Sequence, residues 1–153
     1  MKRWGKGEAV IEGALRAGDL QKVEGSAAAG GAHLEAARVR LRSAERVLDE
    51  DPAGALTLAY DAARLACTGL LAQQGLRPTT QGGHKVVQDA MRAQFGDAFT
   101  EVDWLRRRRN EVEYPSWPSD HVDESESLEA LTAAGRIIAN ADRLIDELGF
   151  FLH

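Results

Sequence analysis

The sequence predicts an all-α fold, an antiparallel four-helix bundle with additional short helices. Three observations carry this expectation. Apolar residues recur at alternating steps of three and four through most of the chain, the spacing that keeps one helical stripe facing a partner. The four prolines, Pro52, Pro78, Pro115 and Pro118, fall between these periodic segments, where proline is tolerated, and never inside one. No alternating run of β-branched residues is long enough to be a strand, so no sheet is expected. The 153 residues suit one domain, 1–153, with a core that needs no staple.

A short first helix is expected over Glu8–Ala17, ended by Gly18 and Asp19. The second spans about Ala32 to Asp49, with Leu34, Ala37, Leu41, Ala44 and Leu48 facing inward and Arg38, Arg42, Glu45 and Arg46 outward. Asp51 as N-cap and Pro52 in the first turn start the third helix. It carries Leu56, Ala59, Tyr60, Ala63, Cys67 and Leu70 on one side and Leu58, Ala62 and Leu65 on another, which makes it the most buried. Gly69 in its interior costs about 1 kcal/mol relative to alanine and points to the close approach of another helix. This helix stops at Gly75.

A turn-rich loop from Gly75 to Gly83 leads to a short fourth helix marked by Val86, Val87, Ala90 and Met91, ending near Gly96. Asp97 is expected to cap the fifth helix, whose stripe is Ala98, Val102, Leu105, Arg109 and Val112. After the break from Pro115 to Pro118, a last helix runs from about Glu124 to Leu148. Its inner side is Leu128, Leu131, Gly135, Ile138, Ala141, Ile145 and Leu148. Helices two, three, five and six form the bundle, and the fourth packs across it.

Net charge is −5, so the surface as a whole does not favour nucleic acid. The charge is uneven: Arg106, Arg107, Arg108 and Arg109 are consecutive, and Asp120, Asp123, Glu124, Glu126 and Glu129 follow. A local cationic site inside an acidic protein is the pattern to explain. The only cysteine, Cys67, sits in an apolar run, which excludes an intrachain disulfide and a Cys-ligated metal. No stretch approaches the roughly 18 consecutive apolar residues of a membrane span, and the basic N-terminus leads into no signal-type apolar core. A cytoplasmic protein without membrane contact, metal or cofactor is expected.

Arg109 carries the sharpest signal, because one turn either way its neighbours are Leu105 and Val112. A guanidinium there needs a carboxylate, an open groove or a ligand phosphate. Glu113 is within helical reach, but an exposed pair is worth only about 0.3 kcal/mol. Consecutive residues fan out by about 100°, so the four arginines cannot share one face. A plain alternative is a solvated face, with one arginine bridging to the acidic start of the last helix.

The run from Leu105 to Pro115 resembles the HEPN superfamily (higher eukaryotes and prokaryotes nucleotide-binding domains). So do the upstream segment Ala59–Ala66, then Gln74–Pro78, then Gly83, His84 and Lys85. The resemblance covers a core of about residues 32–148. It implies a four-helix homodimer and, in many members, metal-independent RNA cleavage in toxin–antitoxin or defence systems; other members only bind. A cognate antitoxin or nucleotidyltransferase is an implied partner.

In active members an arginine, a polar residue and a few more positions precede a histidine. Arg109 and Asn110 match the start of that motif, and Tyr114 stands where the histidine is due. Tyrosine, with a pKa near 10, is a poor base for activating a 2′-hydroxyl at neutral pH, so a binding module or weak endoribonuclease is expected rather than a fast one. Candidate catalytic residues are Arg109, Asn110, Tyr114 and Glu113; candidate nucleic-acid contacts are Arg108, Arg109, Trp104 and His84. A replacement base would come from Glu113, His84 or His121, while His33 and His153 carry no signal.

Asp61 and Arg64 leave two readings open, a pair within the third helix or the opposite wall of the cleft, with Asp61 meeting Arg109. Trp104, Tyr114 and Trp117 flank the arginines and either stack bases or cover a bundle end. The rival function is a non-catalytic helical protein-interaction module, antitoxin-like, whose arginines meet an acidic protein.

Overall fold

The computed structural model describes residues 2–116 and 121–152. Trp117, Pro118, Asp120 and His153, all weighed above, lie outside the described residues. Six α-helices dominate: α1 Glu8–Ala17, α2 Gly30–Val47, α3 Pro52–Gln73, α4 Gly83–Phe95, α5 Glu101–Glu113 and α6 Glu124–Leu144. The fold is all-α, as the periodicity predicts. None of the helices is long and apolar enough to cross a membrane.

The expectation of no strand at all needs correction. Leu20–Lys22 (β1) and Leu76–Pro78 (β2) form a small antiparallel ribbon in which Leu20 faces Pro78 and Lys22 faces Leu76. The pairing gives two buried loop segments backbone partners that water cannot supply, with Leu20 and Leu76 pointing inward. Three-residue strands are too short to leave an alternating pattern in the sequence.

Two N-caps explain where the long helices begin. The Asp51 carboxylate accepts the Gly54 amide at 2.9 Å, with Pro52 in the first turn of α3. Asp123 does the same for the Glu126 amide at 2.8 Å and starts α6. Asp97 is not the cap of α5: it lies in a 3-10 turn, Gly96–Phe99, and α5 starts after Thr100, which has no side-chain cap. That turn tucks Phe99 into the core. The last helix ends at Leu144 and tightens into a 3-10 turn, Ile145–Glu147. Leu128 is exposed, contrary to expectation, and Ala130, Ala134 and Ile137 take the inner positions instead.

Helix α3 is surrounded. It packs against α2, α5, α6 and α4, and the short connection of residues 48–51 folds α2 back against it. Its side chains permit this, since Ala55, Ala59, Ala62, Ala63 and Ala66 are all buried. The closest approach is between glycines at the start of α2 and the end of α3. A Cβ on Gly30 would stand 2.5 Å from the Gly69 carbonyl oxygen, and one on Gly69 would stand 2.9 Å from the His33 Cβ. The close contact that Gly69 predicts is thus met by Gly30. Just past the same end of α3, Gln74 and Gln94 exchange amide hydrogen bonds at 2.6 and 3.1 Å inside the core.

Neighbouring glycines of α2 should therefore respond oppositely. Gly30→Ala overpacks a backbone contact and should cost about 2 kcal/mol. Gly31→Ala has nothing within 4 Å to meet and should stabilise by about 0.5–1 kcal/mol through helix propensity. Urea denaturation of the two variants checks the opposite signs.

Candidate functional site

Helical geometry distributes the four arginines of α5. Arg107 points outward, with its side chain 64% exposed, and reaches Asp103 at 3.4 Å. Arg108 turns to α6, where Nε and Nη2 donate to the Glu126 carboxylate at 2.7 and 2.8 Å and Nη1 donates to Glu111 at 3.0 Å. Its side chain is 14% exposed. Arg108 thus bridges α5 to the acidic start of α6, and Glu126 is the chief reason its guanidinium is held still more firmly protonated than usual. Of the readings open for the run, the helix-bridging one describes Arg108.

Arg106 and Arg109 are three apart and share the face turned toward α3 and α4. Arg109 is 20% exposed, with its guanidinium 4.7 Å above the Tyr60 ring and Nη1 donating to Glu113 at 3.0 Å. The stacking supplies what the Glu113 pair alone cannot, about 1–2 kcal/mol for a partly desolvated cation on an aromatic face. The fan-out of the run predicts Arg106 and Arg107 on exposed faces; Arg106 is instead half-buried at 30% and donates to Asp103 at 3.1 Å. The reason is its shared helical face with Arg109.

The fourth helix supplies the remaining member. A Cβ on Gly82 would overlap the Asp19 carbonyl, and Gly83 has a left-handed φ of +53°, so only this glycine pair turns the chain tightly enough to start α4 there. The turn brings His84 onto Tyr60, with Nδ1 hydrogen-bonded to the buried hydroxyl at 2.6 Å. Gln88, one turn further along α4, donates to Asp103 at 2.7 Å and so fixes the carboxylate that holds Arg106. That hydrogen bond, with Arg106 and Arg107 beside it, keeps the Asp103 carboxyl below its usual range.

Arg64 of α3 completes the cluster. Its charge acts on both Tyr60 and His84, as do those of Arg106 and Arg109. Burial pushes the Tyr60 hydroxyl above its usual range against the pull of these cations. Burial and the guanidinium groups of Arg109, Arg106 and Arg64 lower the pKa of His84. Neither alternative for Asp61 is realised: among the described residues it is in ion-pair contact with neither Arg64 nor Arg109.

The other candidates lie apart. Tyr114 follows α5 with its ring 77% exposed, and among the described residues no hydrogen bond or ring contact joins its side chain to the cluster. Asn110 is half-buried, and its carbonyl accepts the Tyr114 amide. Trp104 faces a groove between α5 and α6, lined by Glu101, Leu128, Thr132 and Arg136. His121 lies beyond α5, where its carbonyl accepts from Arg108. Among the described residues no group of three or more His, Cys, Asp or Glu is placed to hold a metal ion. Cys67 is fully buried, which pushes its thiol up to about 12 and leaves it inert.

The sequence marks Arg109 and His84 separately and offers Arg64 as an opposite wall; it gives no sign of Tyr60 as the surface on which they meet or of Arg106 at its rim. Comparison of the chain with protein-family models, curated proteins and solved structures gives no match.

The His84 shift has a measurable cause. In an NMR titration its C2 proton should turn over below pH 6.5, and Arg109→Gln should move the midpoint up. Because folded His84 binds a proton less readily than the unfolded residue, its contribution to stability is lost as pH falls from about 6.5 to the folded midpoint. His84→Gln should flatten stability over that window.

Proposed function

We propose that the chain is an RNA- or nucleotide-binding domain of HEPN type whose anion site is the cleft formed by α3, α4 and α5. One observation carries this reading: Arg64, Arg106 and Arg109 converge on the Tyr60–His84 pair, and among the described residues no carboxylate is in ion-pair contact with Arg64 or His84. Concentrated cations in a protein of net charge −5 favour a polyanion at one place over the surface at large. The half-buried setting strengthens each contact relative to an exposed one. A homodimer that sets two such clefts side by side belongs to the same reading, and mass measurement in solution tests it.

Binding of a short single-stranded RNA should weaken with salt through counterion release. Arg109→Ala should weaken it at least tenfold and flatten the salt slope by about 0.7, the release from one phosphate contact. Arg107→Ala, at an exposed position, should change little. Equal losses in both would mean a diffuse electrostatic patch, and an affinity only for acidic proteins would favour the interaction-module reading.

A second reading, metal-independent cleavage, is favoured by His84. An imidazole with a lowered pKa is neutral at pH 7 and beside guanidinium groups that stabilise a developing phosphorane charge. On this reading the base is His84, and Tyr114 and Glu113 are not. RNA cleavage in the presence of EDTA should then fall about 10²- to 10⁴-fold in His84→Ala and be unchanged in Tyr114→Phe. No cleavage by the wild-type chain would leave binding alone.

A further inference from the structure

The donors that line the cleft are more numerous than an internal phosphodiester can use. Three guanidinium groups, of Arg64, Arg106 and Arg109, stand at it, and only Asp103 and Glu113 are in ion-pair contact with them among the described residues. Arg106 and Arg109 each commit one terminal nitrogen, to Asp103 and Glu113, and the buried Nε of each has no hydrogen-bond partner among the described residues. Arg64 has no ion pair among the described residues. A further donor set comes from the backbone. The first turn of α4 lies beside the cluster through His84; the Gly83 amide donates to the Thr79 carbonyl at 3.0 Å, and no side chain caps the amides of His84 and Lys85 that follow. Uncapped amides at the start of a 13-residue helix favour a negative charge.

A phosphodiester offers two terminal oxygens and one charge. A phosphomonoester offers three and, above its second pKa of about 6, two charges. We propose that the cleft takes a terminal phosphate, of an RNA end or a free nucleotide, in preference to an internal phosphodiester. The inference rests on the nucleic-acid reading above and narrows it. Arg64 from α3, Arg106 and Arg109 from α5, and His84 with the next amide of α4 supply donors from three helices. Tyr60 orients the set: its ring carries Arg109 and its hydroxyl holds His84.

The test is fluorescence anisotropy of the full chain at pH 8 with a short RNA labelled at its 3′ end, bearing either a 5′-phosphate or a 5′-hydroxyl. The phosphorylated strand should bind about tenfold tighter or more. Arg64→Gln and Arg109→Gln should each erase most of that difference, and Arg107→Gln should keep it. Circular dichroism of each variant shows that its helices are intact; Arg64 holds no ion pair whose loss would unfold the chain. Competition by adenosine 5′-monophosphate separates the two sources: full displacement at matched concentration assigns the cleft to free nucleotides, and weak displacement assigns it to RNA ends. Equal affinity for both strands overturns this inference and leaves RNA binding standing. Failure of both strands and of the nucleotide to bind overturns the inference and the nucleic-acid reading together.

Discussion

Burial of α3 among α2, α4, α5 and α6 is the constraint from which the rest follows. The faces packed on several sides take small or apolar side chains, and α3 meets this with a run of alanines and with Gly69 against Gly30. Tyr60 is the exception, a large residue with a polar tip, 1% exposed. Its hydroxyl needs a partner and finds the His84 ring; its ring face, turned to α5, takes the Arg109 cation. The cluster therefore exists because one buried tyrosine must be satisfied, and the same satisfaction joins α3, α4 and α5.

How much of this was legible follows from the range of the interactions. Helices left local signatures: α1 was placed to the residue, Asp51 and Pro52 opened α3, and Gly69 announced a close contact. Features set by long-range geometry left none. The ribbon is three residues a side and depends on Val23 and Thr79 reaching Gly75 and Asp19 across the chain. Most of the expected inner set of α6 is buried, Leu131, Ile138, Ala141, Ile145 and Leu148 among it, but Leu128 near the start of the helix is exposed, and the alanines at 130 and 134 gave too weak a signal to mark the inner face there.

The site was legible to the same extent. Arg109 was marked by a cation on an apolar stripe, a contradiction visible in the sequence and resolved by stacking. Tyr60 gave no such warning, since an aromatic on a buried stripe is ordinary core. His84 looked like a loop histidine because the Gly82–Gly83 turn that aims it depends on the distant Asp19 carbonyl. Tyr114 was singled out by motif position alone, and position along α5 does not place a ring beyond the helix end.

Four consecutive arginines illustrate why a charge run cannot be assigned one role. Each step of about 100° hands the next guanidinium to a different neighbour. Arg107 goes to solvent, Arg108 to Glu126 on α6, and Arg106 and Arg109 return to the common face above α3. The carboxylates are divided as unevenly. Arg108 receives two, Arg106 and Arg107 share Asp103, Arg109 has the half-exposed Glu113, and Arg64 has none within ion-pair reach among the described residues. Positive charge is consequently best neutralised where α5 meets α6 and least so where it meets α3 and α4. That imbalance is what the proposed anion site rests on: on the Tyr60 side of α5 the ring and Asp103 already hold the guanidinium groups, and little side-chain freedom is left to lose.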